Sequence, residues 1–439
     1  MKVTILPGPI KGHISAIPSK SHLHRLLICA ALSDKECLLR CEETQAIDIK
    51  ATIGCLTVFG AKITWTGEGF LVTPINRNQM SSHCILPCEE SGSLLRFIVP
   101  VVCALGLRGD FHMTGRLPER PMAPLSDELV AHGAKLWKDK PDIMSCEGRI
   151  TAGDYKLPGD ISSQYITGLL LALSLLEESS TLTVTKPIES ADYIEMTLEA
   201  MAAFGVVPEI QSDSRQVTYH IKGAGEYVSP GEVDVEGDWS NGAFWLVAGA
   251  MPGGDISLSG LKKLSSQGDR EVCDILSQMG ANVRWGESSE NDTNTNQSGE
   301  LLLISEGTRQ GITIDARAIP DLIPVLSAVA AVGKGTTIVQ NAARLRLKES
   351  DRLISTTQTL KALGADITET EDGLIIQGKP ELTGGTVDSF GDHRIPMTAA
   401  IASAACKEPV TIIGAEAVNK SYPGFWDALK SLGKTVIEE

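Results

Sequence analysis

The sequence predicts an α/β fold, of the α+β type, in which one structural unit is repeated six times and the repeats build two compact domains. The first observation is a recurring segment: a helix-like stretch ending in Leu or Met, then Gly, then a strand-like stretch. The second is that further helix-like and strand-like segments alternate between the recurrences. The third is the period of about 73 residues, which exceeds the ~20–50 residues of a solenoid repeat.

The recurring segment predicts where six helices end. It reads LTVFGAKI, LVAHGAKL, MAAFGVVP, LSQMGANV, LKALGADI and LKSLGKTV, with its glycines at Gly60, Gly133, Gly205, Gly280, Gly364 and Gly433. Only glycine adopts the left-handed conformation that ends a helix without steric cost, so each is predicted to be a helix stop. Six chance copies of a common helix end would not explain the nearly constant spacing.

Between these stops, β-branched segments predict strands and longer apolar segments predict helices. Strands are expected at Thr181–Thr185, Thr336–Gln340 and Gly373–Gly378, and helices over Leu26–Leu32 and Ile166–Leu176. The longest interval between glycines, 84 residues, contains the polar run Gly286–Gly299. This run is predicted to be a surface hairpin tip without chemistry of its own.

The charge balance excludes some classes of function. The 439 residues carry 39 Lys and Arg against 55 Asp and Glu, a formal net charge of −16, and 42% are hydrophobic. The hydrophobic fraction is typical of a globular chain. The acidic balance argues against a nucleic-acid binder, which needs broad positive charge. It is compatible with a small anionic ligand, because a local cleft can be basic inside an acidic protein.

The N-terminal residues and the cysteines predict a cytoplasmic protein. Pro7 interrupts the only N-terminal stretch that could serve as a secretion signal. The longest apolar run, about Tyr165–Leu176, is shorter than the ~20 residues of a membrane span, so no membrane association is expected. The ten cysteines include no CxxC pair, which predicts reduced thiols and no metal site.

Basic or hydroxyl side chains stand at the expected start of a helix in nearly every repeat. The alternation of basic residues with leucines in Arg344–Leu353 predicts a strand entering a helix, with Arg346 and Lys348 on one face. Pro121 is predicted to start a helix directly after Arg120. The segments are PSKSHLHRLL, ESGSLLRF, RLPERP, GDISSQY, IPDLIPVL, RLRLKESDRL, GDHRIPM and NKSYPGF.

Taken singly, each of these segments has an ordinary interpretation as a helix cap or a solvated charged strip. If the helix starts converge, they form a cationic cleft for more than one phosphate or carboxylate, because helix N-termini and basic side chains both favour anions. Neither a P-loop nor a dinucleotide-binding glycine motif accompanies them, so no nucleotide cofactor is indicated.

These segments, together with ADYIEMTL and VEGDWSNGAFWL, resemble the 5-enolpyruvylshikimate-3-phosphate synthase family along the whole chain and in the family's order. The resemblance implies a two-domain inverse α/β barrel of six βαβαββ repeats, three in each domain, with the active site in the interdomain cleft. The first domain is expected at 19–231, mainly on the shikimate 3-phosphate side. The second is expected to combine 1–18 with 232–439 and to hold much of the phosphoenolpyruvate site.

The resemblance also implies the reaction, that of a 3-phosphoshikimate 1-carboxyvinyltransferase in the shikimate pathway of aromatic amino-acid biosynthesis. The enolpyruvyl group of phosphoenolpyruvate would move to the 5-hydroxyl of shikimate 3-phosphate, with release of phosphate. The path would be addition and elimination through a tetrahedral intermediate, without cofactor or metal. Two polyanions held together require many cations, and the reaction requires a proton donor and a proton acceptor.

The residues that match the family's motifs receive roles from the same resemblance. Asp321 and Glu349 are the acid and base candidates, and Lys20, His393 and Lys420 are further proton-transfer candidates. The implied shikimate 3-phosphate contacts are Lys20, Ser21, Arg25, Ser162, Ser163, Gln164, Ser190, Tyr193, Asp321 and Lys348. The implied phosphoenolpyruvate contacts are Lys20, Gly92, Arg120, Gln164, Arg352, Arg394 and Lys420.

Two positions depart from the family pattern, because Glu90 and Arg344 stand where many members have Asn. A carboxylate at position 90 would repel substrate anions unless a cation pairs with it, and Arg96 and Arg120 are the candidates. Gly92 is retained where glyphosate-tolerant relatives often carry Ala. The chain is therefore expected to be inhibited by glyphosate at the phosphoenolpyruvate site, and it is expected to be a monomer.

Two alternatives stay open. The first is an enolpyruvyl transferase acting on UDP-N-acetylglucosamine, which shares the fold. Its family places a reactive Cys six residues before the Arg-Pro pair, where Thr114 stands here, and lacks the KESDR and GDHR patterns. The second is a non-catalytic anion-binding scaffold. Such a protein could lose Asp321, Glu349 and Lys20 freely, and all three are present.

Overall fold

The computed structural model describes residues 1–286, 298–304 and 307–439, and within them helices and short strands alternate. Most of the polar run expected to form a hairpin tip, residues 287–297, lies outside the described residues. The α-helices are α1 (Lys20–Leu32), α2 (Ile47–Val58), α3 (Gly92–Leu105), α4 (Leu125–Ala131), α5 (Ser163–Leu173), α6 (Ala191–Ala203), α7 (Trp239–Ala250), α8 (Val272–Gln278), α9 (Ile323–Ala331), α10 (Arg352–Ala362), α11 (Arg394–Ala402) and α12 (Phe425–Ser431).

The strands are short. They are β1 (Lys2–Ile5), β2 (Lys11–Ser15), β3 (Cys37–Arg40), β4 (Lys62–Trp65), β5 (Gly69–Thr73), β6 (His83–Glu89), β7 (Arg108–Met113), β8 (Lys135–Lys140), β9 (Ile143–Glu147), β10 (Asp154–Pro158), β11 (Ser180–Thr185), β12 (Glu209–Ser212), β13 (Gln216–Ile221), β14 (Glu232–Asp234), β15 (Asp255–Lys262), β16 (Asn282–Trp285), β17 (Ser298–Ile304), β18 (Thr313–Asp315), β19 (Thr336–Gln340), β20 (Asp366–Glu369), β21 (Leu374–Gln377), β22 (Gly385–Asp388), β23 (Val410–Ile413) and β24 (Val436–Glu438).

The chain divides into two compact units. The N-unit is Lys20–Val235, and the C-unit combines Met1–Ser19 with Glu236–Glu439. The division lies slightly later than the sequence predicted, because β14 pairs in parallel with β3 and so belongs to the N-unit. Ser19 belongs to the C-unit, where its backbone N–H donates to the carbonyl oxygen of Glu236 at 2.7 Å.

The described strands form six four-stranded sheets with one shared pattern. The N-unit contains β14-β3-β5-β4, β6-β7-β9-β8 and β10-β11-β13-β12, and the C-unit contains β2-β15-β17-β16, β18-β19-β21-β20 and β22-β23-β1-β24. In every sheet the first pair is parallel and the other neighbours are antiparallel. A parallel pair requires a crossover connection, and α3, α5, α9 and α11 supply it in four of the sheets.

Each unit encloses three helices in its own hydrophobic core, α1, α3 and α5 in the N-unit and α7, α9 and α11 in the C-unit. Their sequences are apolar nearly all round, which is what a fully enclosed helix needs. All of α9 and α11 is buried, whereas Gln164 is the one residue of α5 and Ser240 the one residue of α7 that is not. The helices α1, α3, α5 and α7 are therefore accessible mainly at their N-terminal turns, whereas α9 and α11 are buried throughout.

The six predicted helix stops are confirmed. Each repeat glycine follows α2, α4, α6, α8, α10 or α12 and has a positive φ between 79° and 111°. The next backbone N–H bonds the carbonyl oxygen five residues earlier, as from Ala61 to Leu56 and from Ala365 to Leu360. This bond satisfies a carbonyl that a helix end otherwise leaves exposed. The strand that follows lies at the edge of its sheet in all six repeats.

Two local predictions are wrong. Ala343–Leu347 forms a 3₁₀ turn rather than a strand, so Arg346 and Lys348 do not share a strand face. Pro121 does not start a helix, because α4 begins at Leu125, after a further turn. Among the described residues, no helix has both the length and the apolar character required to cross a membrane.

Candidate active site

The predicted site residues lie in the first turns of helices, both enclosed and outer, or in the turns that precede them. They form two sets, one in each unit. The N-cluster is Lys20, Ser21, Arg25, Gly92, Arg96, Arg120, Ser162, Ser163, Gln164, Ser190 and Tyr193. The C-cluster is Ser240, Asp269, Asp321, Lys348, Glu349, Arg352, Asp392, His393, Arg394 and Lys420.

Lys20 and Arg25 belong to the first two turns of α1. The ammonium of Lys20 donates to Asp48 Oδ2 at 2.6 Å. Arg25 lies deeper: it is 2% exposed, its Nε donates to Thr197 Oγ1 at 2.8 Å, and its Nη1 donates to the carbonyl oxygen of Ser21 at 2.6 Å. Burial lowers the pKa of Arg25 to about 10, so it is still a cation at neutral pH. Lys20 is thus the more accessible cation of the pair.

The N-terminus of α3 is surrounded by guanidinium groups. Ser91 caps the helix, and Gly92 is its first residue. A Cβ at Gly92 would lie 2.6 Å from Nη1 of Arg96 and 2.6 Å from Nη1 of Arg120, so glycine leaves space that both groups occupy. Two guanidiniums at the positive end of a helix dipole form a site that favours an anion.

Gln164 joins the starts of α3 and α5. Its amide donates from Nε2 to Ser93 Oγ at 2.8 Å, and its Oε1 accepts from Arg96 Nη1 at 3.1 Å. Ser162 caps α5 by accepting from the backbone N–H of Gln164, in agreement with the ordinary interpretation of this segment as a helix cap. The uncharged side chain of Gln164 thus lies beside the guanidinium of Arg96 on α3.

Ser190 and Tyr193 lie at the start of α6. Ser190 adopts a left-handed conformation with φ 54°, which is unusual for a residue other than glycine. The carbonyl oxygen of Tyr193 accepts from Arg25 Nη2 at 3.0 Å, and the Arg25 guanidinium lies 5.9 Å from the centre of the Tyr193 ring. The start of α6 is therefore tied to the same arginine as the start of α1.

Glu90, the acidic departure from the family pattern, turns toward the 115–116 turn. Its Oε1 accepts from the backbone N–H of Arg116 at 3.3 Å, and its carboxylate occupies the space that a Cβ at Gly115 would need. Glu90 therefore helps to hold the turn that leads to Arg120.

Arg352 is the centre of the C-cluster. It is 1% exposed and meets three carboxylates: Nη1 donates to Asp321 Oδ1 at 2.6 Å, Nη2 to Glu349 Oε2 at 2.8 Å, and Nε to Asp392 Oδ2 at 2.7 Å. A buried cation needs such partners, because an unpaired charge is costly to remove from water. Burial disfavours the cation, but the three carboxylates outweigh it and hold the pKa of Arg352 above its usual value.

Asp321 lies between three cations. Besides Arg352, its Oδ1 is 3.4 Å from Lys348 Nζ and its Oδ2 is 3.3 Å from Arg394 Nη2. Burial would raise the pKa of Asp321, but these cations hold it well below its usual range. Asp321 is therefore an ionised carboxylate at neutral pH.

Lys348 is the cation of this group that deprotonates most easily. Burial lowers the pKa of Lys348 to about 8, although Asp321 acts in the opposite direction. Arg346, two residues earlier, instead bonds Asp351 Oδ2 at 2.9 Å and the carbonyl oxygen of Thr370 at 2.8 Å. Arg346 thus holds the local turn, and Lys348 faces the carboxylates.

Lys420 and His393 complete the C-cluster. Lys420 Nζ lies 3.6 Å from Glu349 Oε1, and both side chains are buried to about nine-tenths. His393 precedes α11 and is 3.6 Å from Asp392 through Nδ1. Arg394, the first residue of α11, donates from Nη1 to the carbonyl oxygen of Asp321 at 2.9 Å. All five predicted proton-transfer candidates except Lys20 are therefore brought together in the C-unit.

Sequence reasoning missed four residues of these clusters. Arg96 was predicted only as a partner for Glu90, and nothing in VEGDWSNGAFWL distinguishes Ser240 from an ordinary residue at a helix start. Asp392 is fully buried and binds Arg352, yet in GDHRIPM it could not be told from an ordinary turn residue. Asp269 lies in the 3₁₀ turn Gly268–Glu271, a segment without any apparent motif. Their roles depend on contacts between distant segments, which spacing along the chain does not show.

Comparison with known proteins identifies the family. The family model described as EPSP synthase (3-phosphoshikimate 1-carboxyvinyltransferase) matches residues 6–429. The chain belongs to the EPSP synthase family. Two similar relatives of that family are 3-phosphoshikimate 1-carboxyvinyltransferases: that of Clostridium perfringens is 41% identical over 433 residues and that of Clostridium beijerinckii 42% over 437. The alignments cover 98% of this chain in both cases, and 98% and 97% of the relatives.

Solved structures confirm the predicted fold class, the inverse α/β barrel of the EPSP synthases. EPSP synthase from Acinetobacter baumannii matches with a TM-score of 0.79 and 25% identity, covering 100% of both chains. The enolpyruvyl transferase NikO from Streptomyces tendae has a TM-score of 0.75 at 15% identity, covering 99% of this chain and 98% of that one, a likeness of fold.

Membership of the EPSP synthase family confirms the predicted reaction. The chain transfers the enolpyruvyl group of phosphoenolpyruvate to shikimate 3-phosphate, a step of aromatic amino-acid biosynthesis. The transferase acting on UDP-N-acetylglucosamine and the non-catalytic scaffold are not favoured by these comparisons.

Proposed function

We propose that the two clusters divide the work of this reaction between them. The observation that carries the proposal is the ion-pair network around Arg352, because it places an ionised Asp321 among Arg352, Arg394 and Lys348 at three helix starts. A network of this kind fixes its charges in place before substrate binds. Such preorganisation is usually the largest single contribution to catalysis.

We propose the substrate contacts that the family resemblance implies. The residues proposed to contact shikimate 3-phosphate are Lys20, Ser21, Arg25, Ser162, Ser163, Gln164, Ser190, Tyr193, Asp321 and Lys348. The residues proposed to contact phosphoenolpyruvate are Lys20, Gly92, Arg120, Gln164, Arg352, Arg394 and Lys420. Two features support these assignments: the guanidiniums beside Gly92 suit a phosphate or carboxylate, and the hydroxyls at the start of α5 suit a hydroxylated ring.

The proton transfers are assigned to the C-cluster. Asp321, held ionised by its cations, accepts the proton of the 5-hydroxyl as oxygen attacks the central carbon of phosphoenolpyruvate. Lys420, beside Glu349, donates a proton to the methylene carbon, which gives the tetrahedral intermediate. Return of a proton from that methyl group to the Lys420–Glu349 pair and loss of phosphate then restore the double bond. Lys20 and His393 support these steps as cation and hydrogen-bonding group.

Substrate-specific kinetics test the assignment of contacts. Ser163→Ala is expected to raise the KM for shikimate 3-phosphate and to leave that for phosphoenolpyruvate unchanged, whereas Arg120→Lys is expected to do the reverse. Lys is the matched replacement at position 120, because it keeps the charge and loses the paired donors of arginine. Equal changes in both KM values for either variant would contradict the division of contacts.

Glyphosate is proposed to inhibit this enzyme by occupying the phosphoenolpyruvate site. Gly92 supports this, since the absence of a Cβ lets the guanidiniums of Arg96 and Arg120 lie directly beside the start of α3. Inhibition is expected to be competitive with phosphoenolpyruvate. Full turnover at saturating glyphosate would contradict the proposal.

We further propose that the enzyme works as a monomer in the cytoplasm. The monomer is supported by the two clusters, each of which is built from residues of its own unit of this chain. The cytoplasm is supported by the ten cysteines, which are free thiols, as a reducing compartment allows. If the enzyme is not a monomer, light scattering during gel filtration would give the mass of a dimer or a larger assembly.

A further inference from the structure

One buried carboxylate of the C-cluster is not among the residues that the proposed mechanism uses. Asp269 is 3% exposed and belongs to the 3₁₀ turn Gly268–Glu271. Gln267, two residues before Asp269, fixes this turn. Its Oε1 accepts from the backbone N–H of Trp239 at 3.1 Å, and its Nε2 donates to the carbonyl oxygen of Gly237 at 2.8 Å. The turn is thus clamped to the start of α7.

Ser240 connects Asp269 to the site. Arg394 Nη2 donates to Ser240 Oγ at 2.6 Å, which uses the serine oxygen as an acceptor. The serine hydroxyl hydrogen is then directed to the Asp269 carboxylate, with which Ser240 shares a side-chain hydrogen bond. The same Nη2 lies 3.3 Å from Asp321 Oδ2. A continuous chain therefore runs from Asp269 through Ser240 and Arg394 to Asp321.

We propose that Asp269 is a positioning residue that holds the guanidinium of Arg394, through Ser240, in the orientation required to bind phosphoenolpyruvate. The proposal rests on the proposed contact between Arg394 and phosphoenolpyruvate. Arg394 has carboxylates on two sides, Asp321 and Asp269. Loss of the second lets the guanidinium turn toward the first, because the hydroxyl of Ser240 is then no longer oriented by a charge. A hydrogen bond to a charged group is worth enough to change an affinity by about tenfold.

The charge of Asp269 is sensitive to pH in a useful range. Burial raises the pKa of Asp269 to about 6, with Asp321 and Asp238 acting in the same direction and Arg394 and the Ser240 hydrogen bond acting against them. At pH 7.5 the carboxylate is ionised and holds the chain. As the pH falls through about 6 the carboxylate takes up a proton, and Arg394 loses its second partner.

The experiment compares KM for phosphoenolpyruvate in Asp269→Asn and wild type at pH 7.5 and pH 5.5. Asn has the shape of a protonated Asp, and the ratio of the two KM values cancels the titration of the substrate itself. The ratio is expected to be about ten at pH 7.5 and to fall toward one at pH 5.5, with the KM for shikimate 3-phosphate unchanged. The exposed Asp274→Asn on α8 is the matched control, with a ratio of one at both pH values.

Two further variants separate the possible outcomes. Ser240→Ala is expected to raise the same KM, and Asp269→Asn/Ser240→Ala to raise it no further than either single change, because both break one chain. Additive effects, or a ratio of one for Asp269→Asn at pH 7.5, would overturn the proposal.

Arg394→Lys tests the premise that Arg394 contacts phosphoenolpyruvate. If this variant raises KM for phosphoenolpyruvate and Asp269→Asn does not, the positioning role alone fails. If Arg394→Lys changes nothing, the substrate contact of Arg394 fails and the positioning role with it.

Discussion

Arg352 shows how the chemistry of one buried residue determines its neighbours. Its guanidinium has three carboxylate partners, and the contact with phosphoenolpyruvate that is proposed for it would be made from within that network. Removing one partner of a buried ion pair typically costs ~3–5 kcal/mol, because the remaining charge is left uncompensated. The sequence could predict Asp321 and Glu349 from the family motifs. Asp392 was not predicted, because only the fold brings it to Arg352.

Asp321→Asn tests the proposed base. The change keeps the shape of the side chain, and Arg352 still has Glu349 and Asp392, so the protein should fold and bind both substrates. Turnover should fall by ~10²–10⁴, the usual contribution of a general acid or base. The measurement is kcat for phosphate release, with the exposed Asp366→Asn as the control. A kcat within twofold of wild type would remove Asp321 from the mechanism.

Gly92→Ala tests the anion site at α3. The new Cβ would lie 2.6 Å from Nη1 of Arg96 and of Arg120, so both guanidiniums must move. The KM for phosphoenolpyruvate should rise by about tenfold, and the glyphosate concentration for half inhibition should rise at least as much. Gly424→Ala is the control, since no atom lies within 4 Å of its Cβ position. Unchanged values of both constants would show that the guanidiniums do not form the site.

At the scale of helices and strands, the repeat glycines could be predicted because their conformation is a local property. Only glycine adopts a positive φ at no cost, so its recurrence after a helix-like stretch is visible in the sequence. The strand pairings could not be predicted in the same way, because three of the six described sheets take one strand from a distant part of the chain. In the sheet β22-β23-β1-β24 the third strand comes from the N-terminus of the chain.

Two errors at this scale have a common cause. The alternation of basic residues and leucines in Arg344–Leu353 has the period of a strand, but the segment forms a 3₁₀ turn in which Leu345 is buried and Leu347 is exposed. Pro121 has the residue type of a helix start, but its carbonyl oxygen instead accepts from Arg96 Nη2 at 3.0 Å and from the Tyr165 hydroxyl at 2.6 Å. Contacts with distant residues overrode the local preference in both cases.

Helix α12 provides a test of the helix stops with an internal control. Gly433 follows α12 with φ 87°, whereas Gly424 precedes it with φ −84°, and neither has an atom within 4 Å of its Cβ position. Gly433→Ala should lower the free energy of unfolding by ~1–2 kcal/mol, since only the backbone conformation is penalised. Gly424→Ala should leave it unchanged or slightly higher. Urea denaturation measures both, and equal midpoints would contradict the account of the stops.

For the molecule as a whole, the net charge of −16 conceals two differently balanced clusters. The C-cluster contains as many carboxylates as arginine and lysine cations, so its cations are positioned by ion pairs rather than left as an open positive surface. The N-cluster has the greater excess of cations around Gly92. The sequence predicted these cations apart from Arg96, but it could not predict how many of them a carboxylate accompanies.

The pH dependence of stability should reflect His24, which is buried on α1. Burial lowers the pKa of His24 to about 3, so the folded protein keeps it neutral while the unfolded chain takes up a proton below about 6.5. The contribution of the buried, neutral His24 to the free energy of unfolding is therefore complete above pH 6.5, and it is lost as the pH falls toward 3. Between pH 7.5 and 5.0, wild type should lose ~2 kcal/mol more than His24→Gln in urea denaturation. The exposed His112→Gln should behave as wild type, and parallel losses in all three proteins would contradict the prediction.

Acceptor-dependent phosphate release tests the central claim most directly, that this chain is an enolpyruvyl transferase acting on shikimate 3-phosphate. The protein is mixed with phosphoenolpyruvate and either shikimate 3-phosphate or UDP-N-acetylglucosamine, each well above micromolar concentration. Phosphate is expected to appear with shikimate 3-phosphate, in step with the enolpyruvyl product, and not with the nucleotide sugar. No release with shikimate 3-phosphate, or release only with UDP-N-acetylglucosamine, would contradict the account.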